Sequence, residues 1–341
     1  MPHILVRSDF DAYYCSFYIS GIVETFGASS LRFGSRDFPG GRQPHSLAFR
    51  VLPDGPRVFI DTQDSSALYE DALEWCDVYA KINVDEATLA GAGRRKVVSI
   101  GPSFAVRIWT LPAAAALAVM NCIGSPAVRR DRRVWREHFA NYWRQRRYRL
   151  PLSAYVPGEA ASDYVFFLAS LWRPELGCAE CNRYRANFIE ACRGIEEIRF
   201  EGGFAPRPRG YAPGYDGFMV ERRYALSEYL ARVKRSLAAF NTPAVYRCHG
   251  WKLAEYLALG KAIVSTPISR ALPSPLVHGT HVHIVDGSVE SIAEAVRLLA
   301  ADDAYRRKLE LNAREYFERY CSPAQCVERI MQASAQGRGV S

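Results

Sequence analysis

Lys252 and Glu255 are the two residues of this chain whose types and spacing suggest chemistry most directly. They stand three apart in the stretch HGWKLAEYLALGKAIVSTP, from His249 to Pro267. On a helix that spacing puts both on one side, close to the helix start. A Glu there can accept two hydroxyl hydrogens from a ribose. A Lys beside it can neutralise phosphate, helped by the positive end of the helix. His249 and Gly250 lie just ahead, where backbone N–H groups can meet an anion and a glycine lets it come close. The same pair would also serve as a surface Lys–Glu contact on an ordinary αβ unit.

The elements that must hold this pair can be read on either side of it. Residues 252–259 are good helix formers, and Gly260 gives the usual C-terminal stop. Ala262, Ile263 and Val264, closed by Ser265, Thr266 and Pro267, predict a short buried parallel strand. Upstream, residues 164–169 and 198–204 read as strands, and residues 181–192 and 226–238 as helices. The stretch 205–217, rich in Pro, Gly, Arg and Tyr, reads as a long loop. Downstream, residues 282–285 read as a strand and residues 289–300 and 304–320 as helices.

The central string resembles the nucleotide-sugar-binding segment of glycosyltransferases with two Rossmann-like domains, the GT-B architecture. Many members carry the pattern K-x-x-E-Y-x-A-x-G-K-x-(I/V)-V-(S/A)-T. Here it stands as Lys252, Glu255, Tyr256, Ala258, Gly260, Lys261, Ile263, Val264, Ser265 and Thr266. The resemblance is specific from about Asn241 to Pro323, weaker from Tyr164, and architectural before that. It implies that Glu255 grips the donor ribose and that Arg173, after the strand at 164–169, meets the donor diphosphate. Arginine suits that place because its fork chelates phosphate oxygens. An exposed loop arginine is the other reading of Arg173. Retaining members often show a second Glu eight residues before the first; Arg247 stands there, so the stereochemical course is left open.

The expected fold class is therefore α/β, two Rossmann-like domains facing a cleft. The expected domains are residues 1–155 on the acceptor side and 160–322 on the donor side. Residues 323–341 would form a helix returning to the first domain, plus a tail. The donor would be UDP-, GDP- or another nucleotide-diphosphate sugar. The resemblance implies no cofactor and no metal, because helix ends and basic side chains neutralise the leaving diphosphate.

Length and composition agree with this size of assembly. A chain of 341 residues can bury two substantial cores. With 49% hydrophobic and 23% charged residues it is an ordinary globular composition. Nine scattered cysteines suit reduced thiols better than a disulfide framework. Cys178 and Cys181 form a lone CxxC without the second pair a zinc site needs. His278, His281 and His283 read as loop and strand residues rather than a metal cluster. There is no G-x-G-x-x-G, P-loop or G-x-S-x-G, which argues against a dehydrogenase, a P-loop nucleotidase and an αβ-hydrolase. Without a signal peptide or an apolar run long enough to span a bilayer, a cytoplasmic protein is expected.

The first half supplies acids and then arginines. Residues 4–9 read as a first strand, residues 13–26 as a helix, and the loop between them carries Asp9 and Asp11. Residues 57–61 read as a strand tipped by Asp61, with further strands at 78–82 and 96–102. Alternation at this spacing implies a mostly parallel sheet. Ligands gather beyond the carboxyl ends of such strands, so Asp9, Asp11 and Asp61 are candidate bases for an inverting transfer. Capping and turn roles are the other reading of these acids.

From Arg129 to Arg149 the chain is crowded with arginine, including Arg132, Arg133, Arg136, Arg144, Arg146 and Arg147. Trp135, Phe139 and Tyr142 fall at i, i+4 and i+7, one helical face. A solvated helix packed by its aromatic face is one reading. A patch for anionic lipid headgroups at the inner face of the membrane, or for a phosphorylated glycan acceptor, is another. Nucleic acid is not expected, because nothing else in the chain resembles a nucleic-acid module.

The function expected is transfer of a sugar to a glycan or lipid-linked acceptor, in cell-surface polysaccharide or lipopolysaccharide synthesis. A sugar-nucleotide epimerase on the same scaffold and a non-catalytic GT-B-like partner subunit stay open at this point.

Overall fold

The computed structural model describes residues 2–39, 43–91, 95–177, 179–208 and 212–338. The chain divides into two compact units. One holds Met1–Leu152, Ala271–Pro273 and Tyr320–Ser341; the other holds Ser153–Arg270 and Ser274–Arg319.

The first unit begins with β1 (His3–Arg7), α1 (Ser16–Phe26), β2 (Leu31–Gly34), β3 (Ser46–Leu52) and β4 (Arg57–Asp61). Then come α2 (Glu70–Trp75), β5 (Val78–Lys81), α3 (Glu86–Ala90) and β6 (Val97–Ser99). Three helices follow: α4 (Leu111–Gly124), α5 (Pro126–Arg130) and α6 (Arg132–Tyr148). The strands form one sheet in the order β2-β1-β3-β4-β5-β6. β1–β2, β4–β5 and β5–β6 pair parallel. β3 runs antiparallel to both of its neighbours.

That strand lies in the part of the sequence, between the expected helix at 13–26 and the strand at 57–61, where no element was expected. Its direction matters for function. Because β3 runs the other way, its first residue, Ser46, lies opposite Asp61, the last residue of β4. The backbone just before β3 is therefore carried to the carboxyl ends of its parallel neighbours.

The second unit contains β7 (Tyr164–Ala169), α7 (Ala179–Arg193), β8 (Arg199–Phe204), α8 (Leu226–Arg235) and β9 (Ala239–Asn241). It continues through α9 (Trp251–Ala258), β10 (Ile263–Ser265), β11 (His283–Ile284), α10 (Val289–Ala301) and α11 (Asp303–Tyr316). All pairings here are parallel: β7 with β8, β9 with β10, and β10 with β11. β7 is tied by two bonds to the residues just before β9. Leu237 N donates to Tyr164 O at 2.6 Å, and Phe166 N donates to Ser236 Oγ at 2.9 Å. The strands form two sheets, β7-β8 and β9-β10-β11, over a shared core. Phe167, Phe188 and Phe240 knit that core, with Phe188 and Phe240 stacked at 4.5 Å.

The last helix, α12 (Pro323–Arg338), belongs to the first unit and packs on α1. Gly21 permits the contact: a Cβ there would stand 2.1 Å from the carbonyl oxygen of Pro323. Among the described residues no helix is long and apolar enough to cross a membrane.

Candidate functional site

In the second unit, α9 starts at Trp251 and ends in a left-handed glycine. Gly260 has φ 57°, its N–H bonds to Leu257 O at 3.0 Å, and Lys261 N bonds to Tyr256 O at 3.0 Å. This is the two-bond C-terminal closure that glycine favours. The lysine next to it has a structural task. Lys261 Nζ donates to the carbonyls of Lys234 and Ser236, tying the end of α8 to the start of β9. Burial lowers its pKa to about 8.

Lys252 and Glu255 sit on the opposite, N-terminal part of α9. Glu255 is 5% exposed. Both residues share one hydroxyl, that of Tyr229 on α8. Lys252 Nζ donates to it at 2.9 Å, and it donates to Glu255 Oε2 at 3.3 Å. The ammonium also lies 4.5 Å from the centre of the Tyr229 ring, a cation–π distance. Burial lowers the Lys252 pKa to about 8; Glu255 opposes that shift and Arg185 adds to it. Burial, with Tyr256 and Glu255 adding to it, holds the Tyr229 hydroxyl protonated well above its usual range.

Arg185 is thus a second cation in the same neighbourhood. It is buried on α7, and its guanidinium donates to Ser170 O at 2.8 Å, just past the tip of β7. Asn182, one turn earlier, clamps the same loop: its Nδ2 donates to Trp172 O at 2.7 Å and its Oδ1 accepts from Trp172 N at 3.2 Å. The next residue along that fixed loop is Arg173, exposed at the strand end.

The turn before α9 is held under backbone strain. Tyr246 and Arg247 both have positive φ, 53° and 59°. Left-handed backbone at non-glycine residues costs about 1–3 kcal/mol each and survives only where the surroundings fix it. Here Ser269 Oγ donates to Arg247 O and Arg270 donates to Tyr246 O, each at 2.6 Å. The result places Cys248 and His249, both buried, beside Asn241, Thr242 and Ile268 in a small notch at the ends of β9 and β10. Gly250 follows as the N-cap of α9, with φ −74° and ψ 159°. Any residue adopts that backbone, and a Cβ there would meet nothing closer than Ala244 Cβ at 3.7 Å. The backbone conformation and the surrounding space do not exclude a side chain here, although glycine is also a favoured N-cap residue.

The acids of the first unit gather at the carboxyl end of its sheet, each with its own partner. Asp9 is forked by the guanidinium of Arg7, which also donates to Gln43 Oε1 at 2.7 Å. Asp61 is fully buried and accepts from Tyr79 OH at 2.6 Å, Lys81 Nζ at 2.8 Å and Gln63 N at 2.9 Å. Asp11 accepts from the N–H groups of Tyr13 and Tyr14, each at 3.0 Å, and its other oxygen lies 3.3 Å from Nδ1 of His45. His45 immediately precedes β3, has φ 52°, stacks its ring edgewise on Tyr14 at 4.3 Å, and keeps 44% of its side chain exposed.

Tyr229 and His45 are the two site residues that the sequence reading passes over. Tyr229 carries no motif, and only the packing of α8 on α9 reveals it. His45 depends on the antiparallel strand, for which the sequence reading finds no signal. Arg185 is legible as a helical residue, but its direction is not.

The arginine-rich section is two helices rather than one, because Asp131 caps α6 by accepting from Arg133 N at 2.7 Å and Val134 N at 3.2 Å. Of the expected aromatic face only Tyr142 is buried; it shares that side with His138, Asn141 and Gln145, while Trp135 is exposed. The polar members are accommodated by hydrogen bonds: Asn121 Nδ2 donates to Tyr142 OH at 2.8 Å, and Gln145 Nε2 to Val106 O at 2.9 Å. Arg132, Arg133, Arg136 and Arg147 are exposed, Arg146 is half-buried, and Arg144 pairs with Glu137.

Among the described residues no three His, Cys, Asp or Glu side chains converge as a metal site. His278 Nδ1 accepts from Ile284 N at 2.9 Å, His281 Nδ1 accepts from Val277 N at 3.1 Å, and His283 Nδ1 is 2.9 Å from Tyr305 OH. Eight described cysteines are free thiols and all are buried. Cys178, the other half of the CxxC, lies outside the described residues, so that pair has no geometry to report.

No family model matches the chain, and no curated protein sequence does. Among solved structures it is similar to sucrose-phosphate synthase from Thermosynechococcus elongatus. The identity is 13%, the match covers 95% of this chain and 93% of that one, and the TM-score is 0.44. It is similar to HepE from Anabaena in complex with UDP-glucose, at 12% identity, covering 81% and 72%, with a TM-score of 0.46. It is also similar to the C-terminal domain of a glycosyl transferase group 1 family protein from Francisella tularensis. There the identity is 15%, the coverage 48% and 86%, and the TM-score 0.34.

Proposed function

We propose that this chain is a glycosyltransferase that moves a sugar from a nucleotide-diphosphate sugar to a glycan or lipid-linked acceptor. The observation that carries the reading is Gly250. A glycine whose backbone conformation and surroundings would admit a side chain caps the start of α9, two residues before Lys252 and five before Glu255. A missing side chain at a helix N-terminus gives a phosphate access to backbone N–H groups.

The rest of the second unit supports a nucleotide diphosphate as the ligand. Lys252 donates to one hydroxyl and Glu255 accepts from the same one, supplied by Tyr229. A ribose hydroxyl and a phosphate oxygen offer these two residues the same chemistry. In the proposed site Glu255 holds the ribose. Lys252, Arg185, Arg173 and the amides at His249 and Gly250 stabilise the leaving diphosphate as its charge grows. These groups do the work often given to a metal ion, so turnover in EDTA is expected to equal turnover without it.

Proton removal from the acceptor hydroxyl falls to the first unit. Asp9 and Asp61 are bound to Arg7 and Lys81. Asp11 is buried, but His45 beside it reaches solvent. A carboxylate 3.3 Å from one imidazole nitrogen favours a proton there, which leaves the other nitrogen able to take one. We assign the base role to His45, with Asp11 acting through it. The setting proposed is cytoplasmic synthesis of a cell-surface polysaccharide or lipopolysaccharide.

The test is incubation of the purified chain with UDP-, GDP-, ADP- and CMP-sugars and a panel of glycan and lipid-linked acceptors. Acceptor-dependent release of nucleotide with a glycosylated product supports the proposal. Conversion of the donor to an epimer without acceptor replaces it with epimerisation. Nucleotide binding with no turnover on any acceptor replaces it with a binding role.

A further inference from the structure

The outward face of α4 is the strongest feature that the proposed reaction leaves unused. The helix reads LPAAAALAVMNCIG, with no charged residue in fourteen. Its buried side carries Ala114, Ala118, Asn121 and Cys122. Its solvent side carries Leu111, Ala115, Val119 and Ile123 at four-residue spacing, with Ala116 and Met120 beside them. Met120 is 56% and Ile123 64% exposed. A helix on the surface of a globular protein normally turns polar residues outward. This one turns its polar residue, Asn121, inward onto Tyr142 and its large aliphatic residues out.

The helix packed against it supplies the opposite chemistry. Asn121 and Ala118 O of α4 bond to Tyr142 and His138 of α6, so the two helices form one layer. From Leu111 to Tyr148 there are eight arginines and two acids, which is six of the chain's net eight positive charges. The two acids are occupied: Asp131 caps α6 and Glu137 holds Arg144. Arg132, Arg136, Trp143 and Arg147 are exposed, and their spacing of four, seven and four puts them in one stripe. Exposed aliphatic side chains, a tryptophan and exposed arginine forks in one layer match a phospholipid interface. The aliphatic groups enter the acyl boundary, tryptophan favours the interface, and arginine chelates phosphate.

We propose that the α4–α6 layer docks on an anionic phospholipid surface, lying along it rather than crossing it. The charge chooses this occupant. A second copy of the chain, related by a two-fold axis, would bring one arginine stripe to the other. At about 1.5 Å per residue, α4 is roughly 21 Å long, short of a bilayer core of about 30 Å. Recruitment would hold the enzyme where lipid-linked acceptors are, but the inference stands on α4 and α6 alone and does not use the α9 site.

The experiment is co-sedimentation of the full chain with vesicles of phosphatidylcholine containing phosphatidylglycerol, and with vesicles of phosphatidylcholine alone. Binding is expected to the anionic vesicles, at least about tenfold weaker to the neutral ones, and reduced by salt. Met120→Glu with Ile123→Glu is expected to weaken it at least about tenfold. Arg132→Gln with Arg136→Gln and Arg147→Gln is expected to do the same and to flatten the salt dependence. All five side chains are solvent-exposed, and an unchanged melting temperature verifies each fold. Failure to bind anionic vesicles overturns the proposal. So does binding that ignores the α4 pair, or a concentration-dependent dimer that the α4 pair dissolves. None of these readouts depends on turnover, so the proposal can fail while the transferase reading stands.

Discussion

The carboxyl ends of the strands in the two units handle charge in different ways. In the first unit Asp9 pairs with Arg7 and Asp61 with Lys81, while Asp11 lies 3.3 Å from His45. In the second unit Lys252 and Arg185 give their hydrogen bonds to neutral oxygens, Tyr229 OH and Ser170 O, and Arg173 stands exposed beyond them. Glu255 is buried beside this group, and the buried Lys252 has its pKa lowered, chiefly by desolvation. A polyanionic ligand would oppose that shift. In the proposed reading the diphosphate sits in the second unit and proton chemistry at His45 in the first.

The sharpest way to break this comparison is at His45. His45→Ala is expected to lower kcat about a hundredfold or more, with nucleotide affinity unchanged. Asp11→Asn should produce a smaller loss and shift the acidic limb of the pH–rate profile. Equal activity in His45→Ala would leave the first unit without an assigned base and return the question to its carboxylates.

Lys252→Met comes next, with an expected loss of about a hundredfold in kcat from the leaving-group charge it no longer meets. Its pH behaviour tests the same point. The lysine loses its proton as pH rises through about 8. Nucleotide diphosphate binding to the wild type should therefore weaken above that value, and the step should vanish in Lys252→Met. Stability moves the other way. The folded pKa lies below the unfolded one, so the cost of the charged lysine is full below about 8 and lifts as pH rises toward about 10.4. Lys261, buried and bonded to backbone carbonyls, adds to this stability trend without affecting the ligand. Two lysines of one motif are thus separable: binding is expected to follow Lys252 alone.

Glu255→Gln is expected to have a smaller effect, about ten- to a hundredfold, chiefly in the donor KM. It keeps the size of the side chain and an acceptor oxygen for the Tyr229 hydroxyl while weakening the grip on ribose. A change confined to stability would make Glu255 a packing partner of Tyr229 and nothing more.

Much of this was readable from sequence where local chemistry is self-contained. The helix of Lys252 and Glu255, its glycine stop and the strand behind it form one continuous string, so their order and faces follow from propensity and spacing. β4 ends at Asp61 as the apolar run predicts. The reading is weakest where tertiary pairing decides. β3 is central in its sheet yet leaves no hairpin or helix–strand signature, and His45 is placed by it. α6 buries Asn141 and Gln145, where Arg144 donates to Asn141 Oδ1 and Gln145 Nε2 donates to the distant carbonyl of Val106, which no periodicity of aromatics reveals. The exposed aliphatic face of α4 was likewise invisible, since an apolar run says nothing of which side is covered.

The central claim, that a nucleotide diphosphate sits at the start of α9, is tested most directly by one titration. UDP, GDP and ADP are titrated calorimetrically into the wild type and into Gly250→Ala. The alanine fits the backbone and the space, with Ala244 Cβ 3.7 Å away, and loses only part of the N-cap preference, so the fold should survive with a melting temperature lowered by a few degrees. The account predicts that one nucleotide binds the wild type and that the added methyl group weakens it at least about tenfold. Equal binding to both proteins, or no binding to either, would contradict it.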